Sequence, residues 1–418
     1  MLITAGGVQA LPAADPPPKP VPEGKSWQIP DPVPGGFASW ADLMKMQSRL
    51  DAAAAEIEKA AASAPDGLAG IVAAPEKREL IVYWQGAVPA GVQSVISSQD
   101  DTVPVRVEPA KYSLKQLSSE ADRLSKTPAF GEVAPRVDGS GIEVRWAKDT
   151  TAAQKSAADA TLKTARVDVR VNTTAGDTAP EPLNGFCGPN GDYGGPSICR
   201  LDDAAPYYGG SRGMGCTNGF AIAWGGYTRM LTAGHCYNNG DEVRDPGSDF
   251  MGWAFNDMPT RDIMMVDARS FGRMWDGPYD TTDSTKPVAG ASRSYVGNWI
   301  CTSGARSGSR CNIQVWGTGI YISTALGRWG PVVKADHAEQ QNAAGKGDSG
   351  GPVYSLTGDG SAVIAKGTIV AGDYYAEAPC TGVPTGVDGR FCSWRFYYAD
   401  IAESLNYYGA SIVTAPAG

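Results

Sequence analysis

Long apolar runs are missing from this chain: nothing approaches the roughly 18 residues that a membrane-spanning helix needs, the nearest being short pieces such as residues 67–75. A spanning helix is therefore excluded. Dense basic stretches are missing too, and the net charge is −9 at pH 7. Neutralising phosphates takes clustered Lys and Arg, so neither nucleic acid nor a membrane surface is expected as a partner. Histidine is scarce, with two in the chain, and no CxxC pair, HExxH helix or third histidine completes a tetrahedral zinc set; no metal or other cofactor is expected. Cysteine is absent from residues 1–186, and all eight lie between Cys187 and Cys392.

That asymmetry divides the chain. The cysteines fall at short spacings, Cys187/Cys199, Cys216/Cys236, Cys301/Cys311 and Cys380/Cys392, which read most simply as four neighbour-to-neighbour disulfides, although spacing alone leaves other connectivities open. Each contributes about 3 kcal/mol in a chain-entropy account. Such bridges persist in oxidising surroundings, so a secreted, extracellular protein is expected. Eleven of the fifteen lysines precede residue 174, whereas the part after it holds 17 Lys and Arg against 24 Asp and Glu. A lysine-richer, cysteine-free part ahead of an acidic, cysteine-bearing one suggests two pieces with different fates, the first disposable.

Along the chain, residues 1–14 are uncharged and Val8-Gln9-Ala10 fits a small-residue cleavage pattern, read as a truncated signal peptide without its basic start. Residues 15–36 are a proline-rich spacer that is not expected to pack. Leu43, Met46, Leu50, Ala54 and Ile57 recur at helical steps over residues 39–62, with Pro65-Asp66-Gly67 as the stop. Alternating strand and helix patterns follow at residues 79–85, 88–98, 103–107 and 113–125, then at 141–146, 152–164 and 165–171. The reading is an α/β region over 37–172, one helix followed by two small lobes. Residues 173–196, rich in Gly, Pro, Asn and Asp, form an exposed linker open to proteolysis. From 197 to 418, short apolar runs alternate with turn residues, the pattern of an all-β sandwich or barrel, and about 220 residues fits a pair of packed barrels, an all-β double β-barrel.

Two stretches carry chemistry. His235 ends a predicted strand in Thr232-Ala233-Gly234-His235-Cys236, and Ser349 lies in Gly347-Asp348-Ser349-Gly350-Gly351-Pro352. Glycines on both sides of a serine permit positive φ and a sharp turn that exposes the hydroxyl. The N–H groups of Gly347 and Ser349 can then stabilise an oxyanion formed during acyl transfer. A serine needs a neighbouring base, and His235 is the candidate imidazole.

With these motifs the chain resembles the chymotrypsin-like serine proteases, and more narrowly the secreted bacterial branch of alpha-lytic protease and the streptogrisins. The resemblance implies that His235 and Ser349 are the base and nucleophile. It also implies an acidic partner between them at the start of an apolar strand, here Asp262, with Asp257 and Asp267 as competitors. The branch has disulfides that match Cys216/Cys236 and Cys301/Cys311. Its α/β pro-domains, folding catalysts and inhibitors that are later removed, resemble residues 79–172. Protein or peptide substrates, the chain's own pro-region as partner and a monomeric state are implied.

Three departures stand out. The family usually has a cysteine shortly before the serine motif, whereas residues 340–346 have none, so Cys380 is expected to pair with Cys392. Thr302 occupies the place of an arginine that pairs with the aspartate beside the nucleophile, leaving Asp348 to find Arg306 or another donor. The substrate-pairing stretch Gly367 to Gly372 has Ala371 where the family favours serine. Ala343 at the pocket base provides no counter-charge for a basic side chain, so cleavage after small or apolar residues is expected, with Asp373 arguing the other way. Ala371 and Gly372 would line the substrate strand. His337 is expected on the solvated surface, and Tyr374, Tyr375, Tyr397 and Tyr398 in packing roles. The rival to a secreted endopeptidase made as a zymogen is a catalytically weak binding protein on a protease scaffold.

Overall fold

Ser39 opens the first helix by accepting the Asp42 N–H at 3.1 Å, and α1 (Trp40–Ala61) buries Leu43, Leu50, Ala54 and Ile57 along the stripe that the spacing predicts. The structure, a computed structural model, describes residues 27–99, 102–172, 180–182, 200–281 and 284–416. Cys187, Cys199 and the signal-like residues 1–14 lie outside them.

The N-terminal region repeats one motif. Strands Leu68–Ala74 and Glu79–Trp84 pair antiparallel, and the second pairs in parallel with Val105–Pro109. This sheet packs on α1 and α2 (Ala90–Ser97) through Ile71, Leu80, Val82 and Val92. Strands Phe130–Pro135, Ile142–Trp146 and Val169–Val171 repeat the order, antiparallel then parallel. They pack on α3 (Leu114–Ser125) and α4 (Ala152–Lys163), each of which begins with a reciprocal capping box.

Sequence reading found the helices but not Leu68–Ala74 or Phe130–Pro135. The first (LAGIVAA) is rich in Ala and Gly, which have weak strand preference; the second (FGEVAP) carries Gly and Pro and reads as a link. Tertiary pairing decides both.

The C-terminal region is all-β and forms two barrels. Six antiparallel strands make the first sheet, in the order Glu242–Arg244, Phe250–Met258, Ile263–Val266, Tyr227–Ala233, Ala221–Trp224, Ser411–Ile412. The second closes on itself: Trp299–Gly304, Gly308–Thr324, Gly327–His337, Arg395–Asp400, Val363–Asp373 and Pro352–Leu356 each pair with the next, and the last returns to the first. Ile300, Ile313, Val333, Val353, Ile369 and Phe396 fill its interior. Helix α5 (Ile401–Tyr408), capped by Asp400 and ended by Gly409 at φ 61°, closes the barrel region. Among the described residues no helix is long and apolar enough to cross a membrane.

Three expectations need correction. Part of the proline-rich spacer packs: Trp27, Ile29 and Val33 lie against the barrel core, and the Asp31 carbonyl accepts the Trp40 indole N–H at 2.9 Å. Aromatic and branched residues between the prolines provide the apolar surface for this. His337 is buried, with Nε2 3.9 Å from Asp31, because this same segment covers it. The linker is not wholly exposed, since Pro180–Pro182 forms a strand on Ala371–Asp373.

Candidate active site

Gly234, which follows the strand Tyr227–Ala233, turns the chain so that the His235 ring faces the second barrel. A Cβ there would stand 2.7 Å from Asp257 Oδ1 and 3.2 Å from Asp262 Oδ1, so a side chain at this position would make the Asp257 carboxylate shift. Asp262 sits just before the strand Ile263–Val266 at φ 58°, a left-handed conformation held by two contacts. Its Oδ1 accepts the His235 backbone N–H at 2.7 Å, and its Oδ2 accepts from Nδ1 at 2.5 Å. The other ring nitrogen, Nε2, lies 2.9 Å from Ser349 Oγ. With Nδ1 protonated by this arrangement, Nε2 accepts the serine hydroxyl proton. Burial raises the Asp262 carboxyl above its ordinary range, while His235 draws it back down.

The competing carboxylates are placed elsewhere. Asp267 pairs with Arg229 at 2.9 Å. Asp257 makes no hydrogen bond to His235; burial and the nearby Asp262 push its carboxyl up.

The serine loop depends on its glycines. Gly347 (φ 97°) and Gly350 (φ 86°) adopt conformations that L side chains avoid, and a Cβ at either would come within 2.3 Å of Arg306 Cδ or the Thr217 carbonyl, respectively. Among the described residues neither the Gly347 nor the Ser349 N–H meets an internal acceptor. Asp348 is fully buried: Oδ1 accepts the N–H groups of Arg306 and Ser307 at 3.0 Å, and Oδ2 accepts Gly345 N–H at 2.7 Å and the Ser307 hydroxyl. Its cation is Arg390, 3.6 Å away and also buried. The Arg306 guanidinium pairs instead with Asp388 at 3.1 Å. Sequence reading missed Arg390 because it lies 42 residues beyond Asp348, in the loop closed by Cys380 and Cys392. Thr302 donates its hydroxyl to the Ala343 carbonyl at 2.7 Å, tying down the backbone there.

Ala371 and Gly372 pair on one side with Tyr397 and Phe396 and on the other with Pro182 and Glu181 of the chain's own linker. Asp373 is buried, with Arg145 of the N-terminal region at 3.2 Å and Arg395 at 3.9 Å. Tyr397 and Tyr398 are core residues, whereas Tyr374 and Tyr375 are exposed. Among the described residues three disulfides are formed: Cys216–Cys236, Cys301–Cys311 and Cys380–Cys392.

No family model matches the chain. Streptogrisin-C of Streptomyces griseus is 26% identical over 372 residues, covering 80% of this chain and 70% of that protein. This share is larger than residues 197–418 could supply, so the likeness reaches into the N-terminal region. Among solved structures, Thermobifida fusca protease A is 24% identical with a TM-score of 0.36, covering 50% of this chain and 98% of its own. Cellulomonas bogoriensis chymotrypsin is 20% identical with a TM-score of 0.36, over 50% and 98%.

Proposed function

We propose that this chain, which resembles the bacterial chymotrypsin-like serine proteases along most of its length, is a secreted serine endopeptidase made as a zymogen. The observation that carries the reading is the unbroken relay from Asp262 Oδ2 to Nδ1 at 2.5 Å and from Nε2 to Ser349 Oγ at 2.9 Å. Ser349 Oγ attacks the scissile carbonyl as His235 takes its proton, and Asp262 holds the imidazole tautomer and balances the cation. The Gly347 and Ser349 N–H groups receive the oxyanion. The imidazolium then protonates the leaving amine, and water repeats the sequence on the acyl-enzyme.

Zymogen character is supported by the strand Pro180–Pro182 on the proposed substrate strand and by the burial of Ser349 in the uncut chain. Substrate backbone would add to the same edge after the linker leaves. Small or apolar side chains before the cut fit the buried Ala343; in the uncut chain Asp373 is held by Arg145 of the N-terminal region and by Arg395, and Arg395 stays beside it once that region leaves. Thr302 has a structural partner, and Ala371 sits in main-chain pairing that its side chain does not supply, so the departures at Thr302 and Ala371 that motivated a binding protein do not favour that reading. Ser349→Ala tests the proposal. The wild-type full chain is expected to take up a fluorophosphonate at Ser349 and release its N-terminal region, and the variant to do neither. A folded wild-type protein that took no label would overturn the reading.

A further inference from the structure

Two hydrogen bonds fix the His235 imidazole within its own plane, through Nδ1 and Nε2, but they leave tilting out of that plane less restrained. Trp329 covers one face of the ring: the centroids are 5.5 Å apart and the planes 15° from parallel, an offset stack. The indole is buried, at 4% exposure. It sits near the tip of the long hairpin Gly308–Thr324 and Gly327–His337, opposite Ile322. The next residue, Gly330, donates its N–H to the Thr260 carbonyl at 2.7 Å, two residues before Asp262. Indole, hairpin and the loop bearing Asp262 are thus joined beside the imidazole.

The hairpin is anchored from the other side as well. Tyr321 and Ile322 pair with Val133 and Glu132 of the N-terminal region, and Arg328 reaches Asp122 at 3.3 Å and Ser125 at 2.5 Å on α3.

We infer that Trp329 is a positioning residue that holds the His235 ring in the plane shared by Asp262 and Ser349. The inference rests on the serine protease reading. A flat ring can replace the indole, whereas an aliphatic side chain fills the space without presenting a face. The test makes Trp329→Phe and Trp329→Leu in the full chain and compares their processed products with wild type. It measures the rate of Ser349 labelling by diisopropyl fluorophosphate, together with kcat and KM on a peptide. Trp329→Phe is expected within about twofold of wild type, and Trp329→Leu about tenfold or more slower in labelling and kcat, with KM little changed.

Wild-type labelling by Trp329→Leu overturns the inference, whether or not KM rises; a raised KM with normal labelling makes Trp329 a wall of the substrate cleft. If Trp329→Leu does not fold, Trp329→Met is the second unstacked variant, decided by the same two outcomes. Absence of label on the wild type would indict the protease reading and not the role of the indole.

Discussion

Arg390 and Asp348 stand 3.6 Å apart with neither side chain reaching solvent. Burial pulls the guanidinium below its ordinary range while Asp348 pulls it back up. Taking one partner from a buried pair leaves an uncompensated charge, which costs more than an exposed pair is worth. Arg390→Met is therefore expected to destabilise the protein by about 3 kcal/mol, read as a lower denaturant midpoint. Arg390 also donates to the Lys346 carbonyl, the Val383 carbonyl and the Ser307 hydroxyl, so the serine loop should loosen with it. An unchanged midpoint would show that the four hydrogen bonds to Asp348 suffice. At this scale the proposed nucleophile and base are legible in the sequence because their glycines and spacing are local requirements. Arg390 is not, because nothing near it in sequence marks its partner.

Strand Pro180–Pro182 has a property that its composition decides. Two of its three residues lack an N–H, so Glu181 alone can donate to the facing strand Ala371–Asp373. Glu181→Pro removes that amide and is expected to weaken the pairing. The unprocessed chain should then label at Ser349 faster than wild type. Equal rates would mean that the strand does not limit access. The long hairpin is a second such element: its strand Gly308–Thr324 serves the closed barrel and also pairs with Phe130–Pro135. Helices were easier to read than strands because their apolar stripe is local, whereas Phe130–Pro135 is defined by pairing with Ile142–Trp146 on one side and the hairpin on the other.

Across the whole molecule, the N-terminal region and the barrels share a buried charge network. Glu132 lies 2.7 Å from Lys334 and 3.6 Å from Arg145, and accepts the Tyr397 hydroxyl at 2.6 Å. Burial works to raise its carboxyl, but Lys334, Arg145 and these hydrogen bonds win and hold it at about 2. A carboxyl depressed in the folded state adds stability that is complete above about 4.5 and is lost as pH falls towards 2. His337 acts in a higher window, since burial and the nearby Arg310 push it down from 6.5 to about 4. The unfolded chain takes up its proton first, so stability declines as pH falls through that range. Unfolding midpoints of the uncut Ser349→Ala chain should therefore fall in two stages. Adding His337→Asn should flatten the upper stage and adding Glu132→Gln the lower one, and a profile unmoved by either variant would refute the assignment.

Local demands were written in the order of residues: glycines that allow a sharp turn at Ser349, cysteines close enough to bridge, capping residues ahead of helices, and alternation that marks an all-β second half. Long-range choices were not. Which carboxylate faces His235, which arginine neutralises Asp348, which strand the linker joins and which indole covers the imidazole all depend on residues far apart in sequence. Their identities carry no record of separation or direction, and only packing the barrels and lobes together converts them into contacts.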